Sequence, residues 1–199
     1  MKKFLKFVGL TVVALVVVGA GFLALSPGLR SDPTVGLPPT THSLAEVDVR
    51  DFTQATLRAE VKVYLPIPAV EAMAIVTDFT AYPDWVSPAP EAVSVDNSAG
   101  PDGAFGPGSV VSYSAGEFDT IELLDTERAM IASPQWGLDD FADHRGVVFV
   151  TDAEGGSIMH MRRYFEPTSA MGWVMSRMMP RFMEQSAENL ALAYGGEVL

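Results

Sequence analysis

Apolar and polar residues alternate from Leu57 to Leu65. Leu57, Ala59, Val61, Val63 and Leu65 fall on one side of the chain, and Arg58, Glu60, Lys62 and Tyr64 on the other. A period of two predicts a strand with one dry face. The period then changes. In "PAVEAMAIVTDF", residues 68–79, Val70, Met73, Ala74, Val76 and Thr77 recur at helical spacing, and Pro68 suits a first turn, so a short helix is expected. Pro83 disfavours the helical region for Tyr82, which limits "TAYPDWV" to a broken turn or a tiny second helix. From Glu91 the pattern is strand-like again: "EAVSVDN", "SVVSYSAGE", "FDTIELLDTE", "RAMIASPQW", "DHRGVVFVTDA" and "GSIMHMRRYFEP" are separated by turn residues at hairpin intervals, the signature of an antiparallel meander.

From about Ser169 to Tyr194, Met171, Met175, Met178, Met179, Phe182, Met183, Leu190 and Ala193 return to helical spacing, and "GG" supplies the stop signal. Pro180 lies inside this segment, which predicts either a kink or a helix that begins properly near it. The expected class is therefore α+β: a curved, seven-stranded antiparallel sheet with two short helices after its first strand, wrapped around one long C-terminal helix. That helix is the only element long enough to cover the sheet's apolar face.

The N-terminus follows another rule. Nineteen uncharged residues, Phe7 to Leu25, would span about 28 Å as a helix, close to the roughly 30 Å of a bilayer's hydrocarbon core. Lys2, Lys3 and Lys6 precede the run, so the positive-inside bias keeps the N-terminus cytoplasmic and exports the remainder, to the periplasm in a Gram-negative cell. A cleaved signal peptide is the competing reading, because "VGA" at residues 18–20 has the small-residue pattern of a cleavage site. Residues 1–26 are thus read as a single-pass membrane anchor or signal peptide. Residues 27–54, rich in proline and without a sustained period, read as an extended linker, and residues 55–199 as one folded domain.

Charge and composition narrow the chemistry. The formal net charge is −12, and setting aside the three N-terminal lysines leaves ten basic residues against 25 acidic. Such a surface repels phosphate backbones, which argues against nucleic acid as a partner. There is no cysteine, hence no disulfide, thiol nucleophile or thiolate metal site. His42, His144 and His160 lack ligand spacing, so no metal is expected. "DDFADH", residues 139–144, contains an Asp-Asp-x-x-Asp spacing, but ahead of a strand it reads as an acidic hairpin. Asp143 and His144 would point to opposite faces and cannot act as a dyad. "GPDGAFGPG" lacks the lysine and helix start of a phosphate loop, and no serine sits in a nucleophile elbow. No cofactor is implied.

The opening strand and helix "AEVKVYLPIPAVEAMAIVTDF", the "YPDW" after them, the closing strand "GSIMHMRRYFEP" and a final amphipathic helix together resemble the SRPBCC superfamily, the START-like or helix-grip proteins, and within it the polyketide cyclase/dehydrase and lipid transport group. The resemblance runs over roughly residues 55–195. It implies a deep apolar cavity between sheet and long helix that takes hydrophobic small molecules such as lipids, isoprenoids or quinones; some members are enzymes and many only bind. Carried onto this chain, it implies a lid at residues 77–90 with Trp85 as an apolar plug, although Trp85 could equally fill core space under a turn.

If Met159, Met161 and Phe165 face that cavity, strand alternation brings Arg163 inward with them and sends His160, Arg162 and Tyr164 outward. A buried guanidinium requires a carboxylate, either from the protein, with Asp119 or Glu117 in reach, or from an acidic ligand that it anchors. Five of the ten methionines lie in the last helix, where Met175, Met179 and Phe182 would form either plain core or an adaptable pocket wall. Tyr113 completes the expected pocket. An enzymatic alternative would have Tyr113, Glu117, Asp119 or Arg163 move protons, and an interaction domain with a self-filled cavity is the third reading.

Overall fold

The computed structural model describes residues 29–31, 47–113, 118–135 and 139–199. The apolar run at residues 7–25 and Glu117 lie outside them. Among the described residues no helix is long and apolar enough to cross a membrane.

The strands are β1 (Leu29–Ser31), β2 (Leu57–Leu65), β3 (Val93–Asp96), β4 (Val110–Tyr113), β5 (Phe118–Asp125), β6 (Ala129–Pro134), β7 (Phe141–Ala153), β8 (Gly156–Pro167) and β9 (Glu197–Val198). The helices are α1 (Ala69–Thr77), α2 (Tyr82–Trp85) and α3 (Ala170–Tyr194). One antiparallel sheet runs β1-β2-β8-β7-β6-β5-β4-β3, and β9 pairs with β2 as well. The seven expected strands are all present. The count is nevertheless corrected, because β1 and β9 pair with successive stretches of β2: Leu29 to Ser31 against Ala59 to Leu57, and Val198 and Glu197 against Val63 and Tyr64. Strands of three and two residues are too short to show a period, so only pairing reveals them.

Alternation sets the two faces of the sheet. Ala59, Val63 and Leu65 of β2, Met159, Met161 and Phe165 of β8, and Val150 of β7 share one buried core with α1 and α3. The opposite face is not simply wet. Ala129, Ile131, Val147, Phe149 and Tyr164 form a second buried cluster, covered by Val47, Val49, Phe52 and Ala55. All six residues of β6 are therefore buried, and the alternation there vanishes. The last residues of the linker pack on the domain: Val49 is fully buried, and Val47, Phe52 and Ala55 lie with it against the sheet. Asp143 holds them in place, its Oδ2 accepting from the Thr53 hydroxyl at 2.6 Å and from the Gln54 backbone N–H at 3.0 Å.

Asp140 of the acidic hairpin also has a structural role. Asp140 accepts from the Ser169 hydroxyl, and Ser169 in turn caps α3 by accepting from the Gly172 N–H at 3.0 Å. Among the described residues no cluster of potential metal ligands forms.

Two local expectations are settled by packing. Tyr82 is helical (φ −55°, ψ −41°) despite Pro83. Proline is harmless in a first turn, and the Tyr82 hydroxyl is fixed on the Val76 carbonyl at 2.8 Å. The long helix runs unbroken through Pro180, which is buried, and ends at Gly195 with φ 72°. Burial of Met179, Met183, Ala187 and Leu190 against the sheet offsets the N–H that proline lacks.

Candidate functional site

A hollow of about 450 Å³, partly open at its mouth, remains between the sheet and α3. Met130 and Ala132 of β6, Gly146 and Val148 of β7, and Met161 and Arg163 of β8 form its floor. Met175, Met179, Phe182 and Met183 of α3 form its roof. One end is closed by Tyr82, Trp85 and the segment from Val86 to Glu91.

This end wall is anchored. The Asn189 side chain donates to the Trp85 carbonyl at 3.1 Å, and the Ser87 N–H donates to the Ser186 hydroxyl at 2.9 Å, so both bonds tie the wall to α3. Ring contacts extend it inward, with Tyr82 at 4.8 Å from Phe79, 4.9 Å from Trp85 and 6.4 Å from Tyr113. Trp85 is only 6% exposed, yet it lines the cavity, so it is at once packed and part of the wall.

Of the residues expected at the pocket, Trp85, Tyr113, Met161, Arg163, Met175, Met179 and Phe182 line this space. Met159 and Phe165 do not, and this corrects their assignment. Both share the face of Met161 but sit in solid core. At the Met159 end, α1 leaves the sheet after Leu65, opposite Ser157, and packs down on β7 and β8. At the other end, the rings of Phe141 and His144 lie 5.9 Å and 5.1 Å from Phe165 and fill the gap. The cavity occupies only the middle of the strand.

Tyr113, Asp119 and Arg163 line the cavity, and His144 is buried beside Phe165 outside its wall. The Tyr113 hydroxyl donates to Asp119 Oδ2 at 3.1 Å. Burial raises the Asp119 pKa above the usual carboxylate range, while the Arg163 charge and the Tyr113 bond pull the other way. Burial, then the nearby Asp119, pushes the Tyr113 phenol far up, so it stays protonated. His144 is held well below its ordinary pKa by burial first and then by Arg163 and Arg145, and is neutral at pH 7.

The expected ion pair of Arg163 with Asp119 does not form among the described residues. Arg163 Nη1 and Asp119 Oδ1 are each fully buried without a hydrogen-bond partner, as is Trp85 Nε1. The guanidinium instead lies across Gly146, its register partner on β7, where a Cβ would stand 3.0 Å from Nη1. Gly146 is the sign of this contact in the sequence, since an isolated glycine inside a strand marks a close approach.

Behind the sheet, Glu60, His160 and Arg162 form a separate half-buried cluster. His160 Nε2 bonds Glu60 Oε2 at 3.2 Å and Arg162 Nε lies 3.4 Å from the same oxygen. The outward phase expected for His160, Arg162 and Tyr164 is the observed one.

A large antiparallel sheet packed on one long C-terminal helix beside an apolar hollow is a START-like, helix-grip fold. Residues 56–195 match the family described as "Polyketide cyclase / dehydrase and lipid transport", and the chain belongs to that family. Solved structures agree in fold at low identity. A START superfamily protein from Mycobacterium smegmatis superposes with a TM-score of 0.54 at 15% identity, over 69% of this chain and 97% of that one. A protein from Thermobifida fusca gives 0.55 at 18%, over 69% and 91%. The di-domain ARO/CYC StfQ of the steffimycin biosynthetic pathway gives 0.52 at 12%, over 69% of this chain and 49% of that one. No curated protein matches the chain.

Proposed function

We propose that this domain holds a hydrophobic small molecule, of the lipid, isoprenoid or quinone kind, in the cavity under α3. It works beside a membrane, tethered through residues 7–25 with its folded part on the extracytoplasmic side. The carrying observation is the hollow of about 450 Å³, with five methionines and four aromatic residues in its wall. That size is within the usual range for small-molecule sites, and unbranched methionines adapt to varied apolar shapes. The apolar run supports the tether, because a poorly soluble ligand then travels only a short way from bilayer to pocket.

Mass analysis of small molecules extracted from the purified full chain tests the reading, with Ala132→Phe as a cavity-filling control. A bound apolar compound present in the wild type and depleted in the variant supports it. Equal traces in both, together with no uptake of added apolar probes, overturn it. An alkaline phosphatase fused after Leu199 tests the orientation, since that reporter is active only when exported.

A second reading is supported by the Tyr113–Asp119 pair facing the hollow: proton-moving chemistry of a cyclase or dehydratase type. The raised phenol pKa weakens Tyr113 as an acid and leaves Asp119 as the group to test. Under this reading Asp119→Asn stops turnover of a bound poly-carbonyl substrate without releasing it.

A further inference from the structure

We propose that the flank of α3 bearing Trp173, Val174, Arg177 and Arg181 rests on the phospholipid headgroups of a bilayer, so that the domain lies against the membrane instead of swinging free on its tether. The inference rests on the reading of residues 7–25 as a membrane anchor and adds the surface that meets the lipid.

Chain length limits where the domain can sit. Leu25 ends the apolar run and Leu29 opens β1, and four residue steps reach at most about 14 Å. β1 is fixed by its pairing with Leu57 to Ala59, on the edge of β2 opposite β8, and it touches α3. A bilayer that holds residues 7–25 is therefore within reach of that edge and of the helix beside it.

Met175, Met179 and Phe182 turn one flank of α3 to the hollow. At 3.6 residues per turn, Trp173, Val174, Arg177 and Arg181 fall on the other flank, away from β6 and β7 and on the β1 side. Arg181 is exposed and the other three are half-buried. The Arg177 guanidinium stands over the Trp173 ring, 4.9 Å from its centre, and Nη1 bonds the Ser176 hydroxyl at 3.3 Å. Its Nε is buried without a hydrogen-bond partner, and among the described residues Arg177 joins no ion pair. Burial draws its pKa below the ordinary arginine value, so an anion at this flank would stabilise the charge.

An aromatic ring beside arginines suits the headgroup level of a bilayer, where the ring sits between apolar and polar layers and the guanidinium bonds phosphate. Charge also selects this half of the helix. Beyond Arg181 the sequence supplies Glu184 and Glu188 on the same side, which an anionic headgroup layer repels. A protein partner could also meet a ring and two cations, but only the bilayer is brought to this flank by the chain itself.

The test reconstitutes the full chain in vesicles of phosphatidylcholine and phosphatidylglycerol, with and without bromine on the upper acyl chain, and reads quenching of tryptophan emission. The fractional quenching expected of the wild type is at least about twice that of Trp173→Phe. The double variant Arg177→Glu, Arg181→Glu falls to the Trp173→Phe level. Equal quenching of wild type and Trp173→Phe overturns the proposal, and so does a double variant quenched as strongly as the wild type. If a variant fails to fold, the wild type decides: its quenching drops by about half or more when phosphatidylglycerol is left out, and an unchanged value overturns the proposal. A chain that floats with the vesicles but escapes quenching keeps the tether and loses the seat, whereas a chain that does not float with them removes both.

Discussion

Gly146 stands opposite Arg163 in the β7–β8 ladder, and the space its missing side chain leaves is filled by the arginine's guanidinium, with an added Cβ only 3.0 Å from Nη1. The pair explains how a long cation fits a sheet face lined with methionine. Gly146→Val must displace the guanidinium or the strand, and overpacking of this kind costs about 1–3 kcal/mol. Arg163→Met in the same chain should recover part of that loss. Chemical denaturation of the two single variants and the double variant should show a coupling of at least about 0.5 kcal/mol, and strict additivity would contradict the contact.

Met159 and Met175 are both methionines of the sheet–helix layer, but only Met175 borders open space. Met159→Ala leaves a void in solid core and should cost about 2–5 kcal/mol. Met175→Ala should cost under about half as much, because the space beside it already exists. The same substitution should alter affinity for apolar probes, and Met159→Ala should not. Paired denaturation and dye-binding titrations give the comparison. Equal stability losses would mean that the hollow is closed in solution.

On the far face, Glu60 is held down to about pKa 2, first by its bond from His160 and then by Arg58 and Arg162, with burial opposing them. A carboxylate with a depressed folded-state pKa stabilises the fold fully above its unfolded value, near 4.5, and loses that contribution as pH falls toward 2. The wild type should therefore exceed Glu60→Gln in stability by a constant margin at neutral pH, and the margin should shrink below about pH 4.5. Melting temperatures from pH 3 to 7 check the sign. A gap that widens on acidification would refute the assignment.

Much of the architecture can be read from periodicity: seven strands in antiparallel order, a short helix after the first, and a long methionine-rich helix at the end. The inward phase of Arg163 can be read as well, since a period of two fixes the face of every residue once one is placed. Other features depend on distances across the sheet. Met159, Met161 and Phe165 share a face, and nothing in their spacing says that α1 covers the first and an aromatic cluster the last. The burial of Val49 and Ala55 is equally hard to read, because their pattern is too short and their partners, Phe149 and Tyr164, lie some hundred positions away.

Local residue order determined which side chains point toward α3 and which away, because backbone geometry alone dictates that alternation. Only the folded sheet decided where along its strands the helix touches and where it stands off, because those distances are set by all the paired strands together. The same holds for Arg163 and Asp119. Alternation placed both on the inner face, but only the tertiary structure decided that they line the hollow without pairing with each other.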